Sequence, residues 1–408
     1  MNKQFLFEIL ELAEEHCGSD FTRKLLQIRT ERERILNNVW KKEPLPEDLS
    51  TYQKEIILRD IDFDTIIHHV AKCTGKDENN MFLFDVSQVA IKHGEFGRGK
   101  ELLLVLLKTV GQKSLNLLAD ILRKLGNIEF YTNNFKAAYK YFDKSLKLFT
   151  KIGDKAGIIS IKNVIGALLV EEGKYYEGEI RFIQVIKMAQ ELKLGEMVAK
   201  ANMNLGIIYN MRGLSEGAIT CYQKAVDSNQ GQNLDLLSGI YTNFAITYKF
   251  TQSYDTSTEY LNKAFALIKE TGNRYQKGLL YLIKAEIEYV SGNLSSATAL
   301  VTSAFTIFTE TGDRLSTAEA YKILGMINRE DKKYDIALSY FENSRHIYEK
   351  ATNPVNLAET LVEMAHLYLA INDKVMAKKV LGPAVKSYEK IGATAKVEKL
   401  RTVFGNVL

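Results

Sequence analysis

Apolar side chains recur at every third or fourth position along most of this chain. That is the spacing of helices burying one face, as in Tyr241, Phe244 and Tyr248, or Tyr321 and Leu324. Above this short period lies a longer one. A small residue returns at Gly126, Gly166, Gly206, Ala245, Ala285, Gly325 and Ala365, in steps of 40 with a single 39. Twelve residues after each marker stand Ala138, Gly178, Ala218, Ser257, Ala297, Ala337 and Ala377. Nineteen after each stand Ser145, Val185, Ala225, Ala264, Ala304, Ser344 and Ala384. Two antiparallel helices approach closely only where side chains are small, and bulky neighbours fill the grooves between them. The pattern therefore predicts stacked helical hairpins. Each first helix leads through a short polar turn, such as Thr132-Asn133-Asn134, into a second helix. Between hairpins stand Gly153-Asp154, Gly195, Gly231, Gly272-Asn273, Gly312-Asp313, Asn353-Pro354 and Gly392. Glycine suits a helix C-terminus, and Asp or Asn caps the helix that follows.

The Leu-Gly pairs at 125–126, 205–206 and 324–325, and Tyr209, Tyr248 and Tyr368 three residues after a marker, resemble the tetratricopeptide repeat family. The 40-residue period resembles the longer-helix subclass found in kinesin light chains and bacterial quorum-peptide receptors. The expected fold is all-α, an α-α superhelix of seven to eight hairpins preceded by an N-terminal helical bundle. Three regions are expected. Residues 1–80 form a helical cap, effector or dimerisation bundle, with helices over 2–17, 20–42 and 50–73. Residues 81–393 form the superhelix, including a weaker hairpin over 81–111 with Ser87 and Gly99 in its small slots. Residues 394–408 form a helix capping the last repeat.

Composition agrees. Only 4 of 408 residues are proline, 46% are hydrophobic and 25% are charged, which suits a folded helical chain. The net charge is +4, with 12 basic and 16 acidic residues in 1–80, so a dedicated nucleic-acid binder is not expected. No apolar run reaches the roughly 18 residues of a membrane span. Cys17, Cys73 and Cys221 are too scattered for a disulfide framework, and the N-terminus has no secretory pattern. A cytoplasmic protein is expected.

Three motifs suggest chemistry and fall short of it. Gly94 to Lys100 is close to a phosphate loop, but Glu101 stands where Ser or Thr must hold magnesium, and the segment reads as a turn between helices. Asp60, Asp62 and Asp64 begin like a calcium loop, but Thr65 replaces its glycine and Ala71 its glutamate. They read instead as acidic residues favoured at a helix N-terminus. His69 and Cys73 share a helical face, but two ligands do not make a metal site. No catalytic constellation appears. An enzyme, a metal and a cofactor are not expected.

The family resemblance implies that first helices line the concave face of the superhelix. Position by position, the residues carried there include Asp120, Arg123, Asn127, Phe130 and Tyr131, then Ser160, Asn163 and Val170, then Lys200, Met203, Ile207, Asn210 and Met211. They continue with Thr242, Ile246, Lys249 and Phe250, then Glu286, Tyr289, Lys322, Met326 and Arg329. The peptide-binding set drawn from them is Arg123, Asn127, Tyr131, Asn163, Lys200, Met203, Asn210, Thr242, Lys249, Lys322 and Arg329. Asn bonds both groups of a peptide backbone, Arg and Lys hold carboxylates, and Met gives adaptable apolar contact. Arg123 and Asn127 resemble half of the family's carboxylate clamp, but Asn204 stands where its next arginine is expected.

The leading expectation is a scaffold that binds a peptide or helical segment of a partner protein. The alternative is a peptide-responsive receptor whose N-terminal bundle acts on a signalling or transcription partner. Two surfaces are candidates for self-association: the N-terminal region, and the helix over 294–309. That helix has no charged residue but carries Ser295, Ser296, Thr298, Thr302, Ser303, Thr306 and Thr309.

Overall fold

The computed structural model describes residues 3–18, 21, 23–25, 27–31, 34, 51–111, 114–230, 233–351 and 353–405, with only the backbone for 51–58 and 270. Every regular element among them is helical. None of these helices is long and apolar enough to cross a membrane. Most of the helix expected over 20–42 lies outside the described residues, as do Pro44, Pro46 and Gly231.

The chain forms two compact units, Met1–Ile128 and Glu129–Leu408. In the first, helices Lys3–Cys17, Thr51–Cys73 and Lys76–Lys92 pack together, and Lys76–Lys92 pairs with Phe96–Thr109. This pair is the weak hairpin. Gly99 brings it close, lying against Ala90 and the Ser87 carbonyl. The phosphate-loop lookalike is the turn of this hairpin, with Gly94 at φ 76° and a helix from Phe96. The three aspartates correct their expected place. Asp60, Asp62 and Asp64 lie well inside Thr51–Cys73 rather than at its N-terminus. Arginines hold two of them: Arg98 is 2.6 Å from Asp60, and Arg29 is 3.4 Å from Asp62.

The seven repeats follow in register. Their first and second helices are Leu115–Tyr131 and Phe135–Ile152 in repeat one, then Lys155–Glu171 and Tyr175–Glu191 in repeat two. Repeat three has Gly195–Met211 and Ser215–Asn229, repeat four Leu234–Phe250 and Tyr254–Thr271, and repeat five Arg274–Val290 and Leu294–Thr311. Repeat six has Arg314–Glu330 and Tyr334–Ala351, repeat seven Pro354–Ala370 and Lys374–Lys390. Thr394–Phe404 covers the end.

From repeat two onward each first helix pairs with its own second helix, and each second helix meets the next repeat. The small markers do the work read from sequence. A Cβ on Gly166 would come within 2.7 Å of the Phe182 ring, and Gly206 and Gly325 meet Tyr222 and Phe341 in the same way. Gly153, Gly272 and Gly312 end second helices with φ between 67° and 74°. Asp154, Asn233, Asn273, Asp313 and Asn353 each accept a backbone N–H of the helix they start. Gly195 departs from this rule. It opens a helix, and Lys193 takes the left-handed φ of 56° instead. The Ser228 carbonyl oxygen would lie 2.8 Å from a Cβ at 195, so glycine is needed there for space.

Candidate functional site

The first helices of the C-terminal unit carry a ladder of charge. Lys249 of repeat four is paired with Glu286 of repeat five. In repeat six, the Lys322 ammonium lies 2.7 Å from Glu319 and 3.3 Å from Glu359 of repeat seven. Lys396 of the end helix reaches the other Glu359 oxygen at 2.9 Å. Lys322 is only 5% exposed. Burial alone would push its proton off, but Glu319, Glu359 and Glu286 outweigh burial and hold it well above the ordinary lysine value. Burial likewise favours a neutral Glu359, yet Lys396 and Lys322 keep its carboxyl far below the usual range. A second rung runs beside the first. Arg329 donates to Glu363 at 2.8 Å and to the Tyr289 hydroxyl at 3.1 Å, and that hydroxyl donates to Glu330 at 2.9 Å.

The remaining predicted residues are placed as follows. Asn163 is 6% exposed, and its Oδ1 accepts from Asn204 at 3.4 Å. Lys200 pairs with Glu196, which also accepts from Asn233. Met203 packs in the core of repeats three and four beside Gly239. Asn210 keeps a buried Oδ1 without a hydrogen-bond partner. Thr242 is 6% exposed and donates back to the Ser238 carbonyl. The ring of Tyr131 lies 6.0 Å from that of Tyr275. In the N-terminal unit, Arg123 pairs with Asp120 at 2.6 Å, and Asn127 is half-buried on the same helix. The structure thus unites Lys249, Lys322 and Arg329 with acidic partners on neighbouring repeats, and turns Thr242 to its own backbone.

Sequence reasoning missed Glu319, Glu359, Glu363 and Lys396. The first two had a signal: they stand six residues before Gly325 and Ala365, the same position as Lys200 before Gly206. Lys396 also had one, since Gly405 lies 40 residues after Ala365 and makes the end helix the first half of an eighth repeat.

The C-terminal unit also closes on itself. The turn of repeat one meets the entry to repeat six, where Asn133 donates to Asp313 at 3.0 Å. The turn of repeat two meets the entry to repeat seven, with Gly173 against Pro354. The turn of repeat three meets the start of the end helix, with Gly213 against Ala395. Each contact joins residues about 180 apart, four and a half periods along the chain. One hydrophobic core accordingly holds Val170, Tyr175 and Ile208 together with Val355, Leu361 and Phe404. Polar groups line this seam. Asp313, buried, accepts from Leu315 and Ser316 N–H, from Asn133 and from the Tyr275 hydroxyl. Nearby, burial and then the Asp313 charge push the Glu171 carboxyl up to about 7. Glu171 accepts from Asn353 at 3.5 Å.

Among the described residues no group of three His, Cys, Asp or Glu side chains is placed to hold a metal ion. A family model described as soluble NSF attachment protein, SNAP, matches residues 227–403. No curated protein sequence matches the chain. Solved structures share its fold. A Rap protein complexed with competence and sporulation factor aligns at TM-score 0.58 and 15% identity, covering 88% of this chain and 98% of that one. The Rap conjugation gene regulator of the plasmid pLS20, in complex with the Phr* peptide, aligns at TM-score 0.52 and 11% identity, covering 97% and 96%. Aspartyl phosphate phosphatase F from Bacillus subtilis aligns at TM-score 0.50 and 14% identity, covering 84% and 93%. At these identities the likeness concerns the fold, an all-α helical repeat.

Proposed function

We propose that this chain is a peptide-responsive regulatory receptor of the long-period tetratricopeptide type, without enzymatic activity of its own. The observation that carries the reading is the likeness, over most of the chain, to one protein solved with competence and sporulation factor and another solved with the Phr* peptide. The ladder on the first helices supports it. A peptide laid along those helices meets amides at Asn163, Asn204 and Asn210, carboxylates at Glu286 and Glu363, and cations at Lys249 and Arg329. Asn210 is half-buried and its covered Oδ1 lacks a partner, so a turn of the side chain toward the peptide would give that oxygen a backbone N–H. Residues 81–393 are then the receptor and 394–408 its cap, and residues 1–80 are the region that acts on a protein partner. A plain scaffold is the weaker reading. It gives no role to a seam whose polar contacts close the coil, whereas a receptor uses such a seam as the element that ligand shifts.

The test is affinity selection with full-length protein and a library of short free-ended peptides, read by mass spectrometry. Wild type is expected to retain defined sequences. Asn210→Ala, which deletes only one amide, is expected to weaken them about tenfold, the worth of one buried hydrogen bond. No retained peptide, or equal retention by a folded Asn210→Ala and Lys249→Glu, overturns the proposal.

A further inference from the structure

Two of the three scattered cysteines end helices that pack together. Helices Lys3–Cys17 and Thr51–Cys73 pack against each other, and Phe5 of one stacks on Phe63 of the other at 5.9 Å. Cys17 lies twelve residues beyond Phe5, and Cys73 lies ten beyond Phe63. Rising 1.5 Å per residue in the same direction, the helices climb about 18 Å and about 15 Å from that contact and end side by side. Neighbours on both sides fix the junction. The Phe21 ring is 5.4 Å from His69, and the His16 ring is 5.5 Å from Phe82. Cys73 lies close enough to act on the Cys17 thiol. His69, which shares a helical face with Cys73, packs at a tilt against Phe21.

We propose that Cys17 and Cys73 form a reversible intramolecular disulfide, a redox modification site that staples the ends of these two helices. Cys73 is exposed and meets the oxidant first. Cys17 is half-buried. Burial, and then its contact with Cys73, push its thiol up to about 11, so it waits as the protonated, resolving partner. The oxidant is a small-molecule disulfide. The Cys73 thiolate attacks one sulfur of oxidised glutathione, the S–S bond breaks, and one glutathione thiolate leaves. Cys17 then gives its proton to solvent and attacks the Cys73 sulfur, expelling the second glutathione. Two cysteine thiols are oxidised and one glutathione disulfide is reduced. Both sulfurs sit at helix C-termini, where the dipole opposes a thiolate, so exchange is slower than at a helix N-terminus. The link closes the chain from 17 to 73 and constrains the unfolded state of the N-terminal unit.

The experiment treats full-length protein with oxidised glutathione, blocks free thiols and maps peptides without reduction. Expected is one linked pair, Cys17 to Cys73, lighter by two hydrogens than its reduced halves and released by dithiothreitol, with buried Cys221 unmodified. Cys17→Ser is expected to trap the glutathione adduct on Cys73. Oxidised wild type is expected to melt several degrees higher than reduced, a gain that Cys17→Ser and Cys73→Ser lack. A stable glutathione adduct on wild-type Cys73 without the link, or links only between separate chains, overturns the proposal. Wild-type mapping decides this even if a variant fails to fold.

Discussion

Lys322 shows how a single side chain can hold several repeats together. A buried ammonium is tolerated only because three carboxylates surround it, and removing one side of such an arrangement leaves an uncompensated charge. Lys322→Met is therefore expected to destabilise the protein by about 3–5 kcal/mol, measured by urea unfolding. Adding Glu359→Leu and Lys396→Met is expected to restore much of the loss, because the buried charges that meet at Glu359 then go together. Equal loss in the triple variant would mean that packing, and not charge, governs this position. The lysine itself was legible from its register, three residues before Gly325. Its burial was not, because the sequence does not say that Glu359 and Lys396, 37 and 74 residues on, close over it.

At the scale of elements, the hairpins were readable because their cause is local. Small residues at fixed spacing and Asp or Asn caps act within 40 residues, and Gly166, Asp154 and Asn273 behave as the pattern implies. The seam was unreadable because it depends on how many repeats complete a turn of the coil, a quantity summed over small rotations. Its pH response follows from Glu171. The folded carboxyl holds its proton up to about 7, against an ordinary 4.5. Between those values the folded state binds more protons than the unfolded one, so stability falls as pH rises through this window. Well above pH 7 the full penalty, on the order of 3 kcal/mol, is present. Glu171→Gln is expected to be more stable than wild type at pH 8 and nearly equal at pH 4.5, by thermal unfolding at each pH. A constant difference across that range would mean Glu171 does not titrate in the seam.

The whole molecule offers one surface that hairpin logic does not explain. Over residues 294–309, N-terminal to the paired Glu310, Thr298, Thr302, Ser303, Thr306 and Thr309 are exposed, and each donates its hydroxyl to a carbonyl one turn back. A face with its hydrogen bonds already made and no charge is cheap to dehydrate, so we propose it as a self-association surface. Thr298→Lys/Thr302→Lys is expected to lower the apparent mass on size-exclusion chromatography, and an unchanged profile contradicts the assignment. The central claim is that peptide is held by the first helices of the repeats. Hydrogen–deuterium exchange of the full-length protein, with and without a selected peptide, tests it most directly. The account predicts slowed exchange in the first helices of repeats two to seven, 155–171 through 354–370, and at the seam residues 133, 173 and 313. Protection confined to the second helices, or none at saturating peptide, would contradict it.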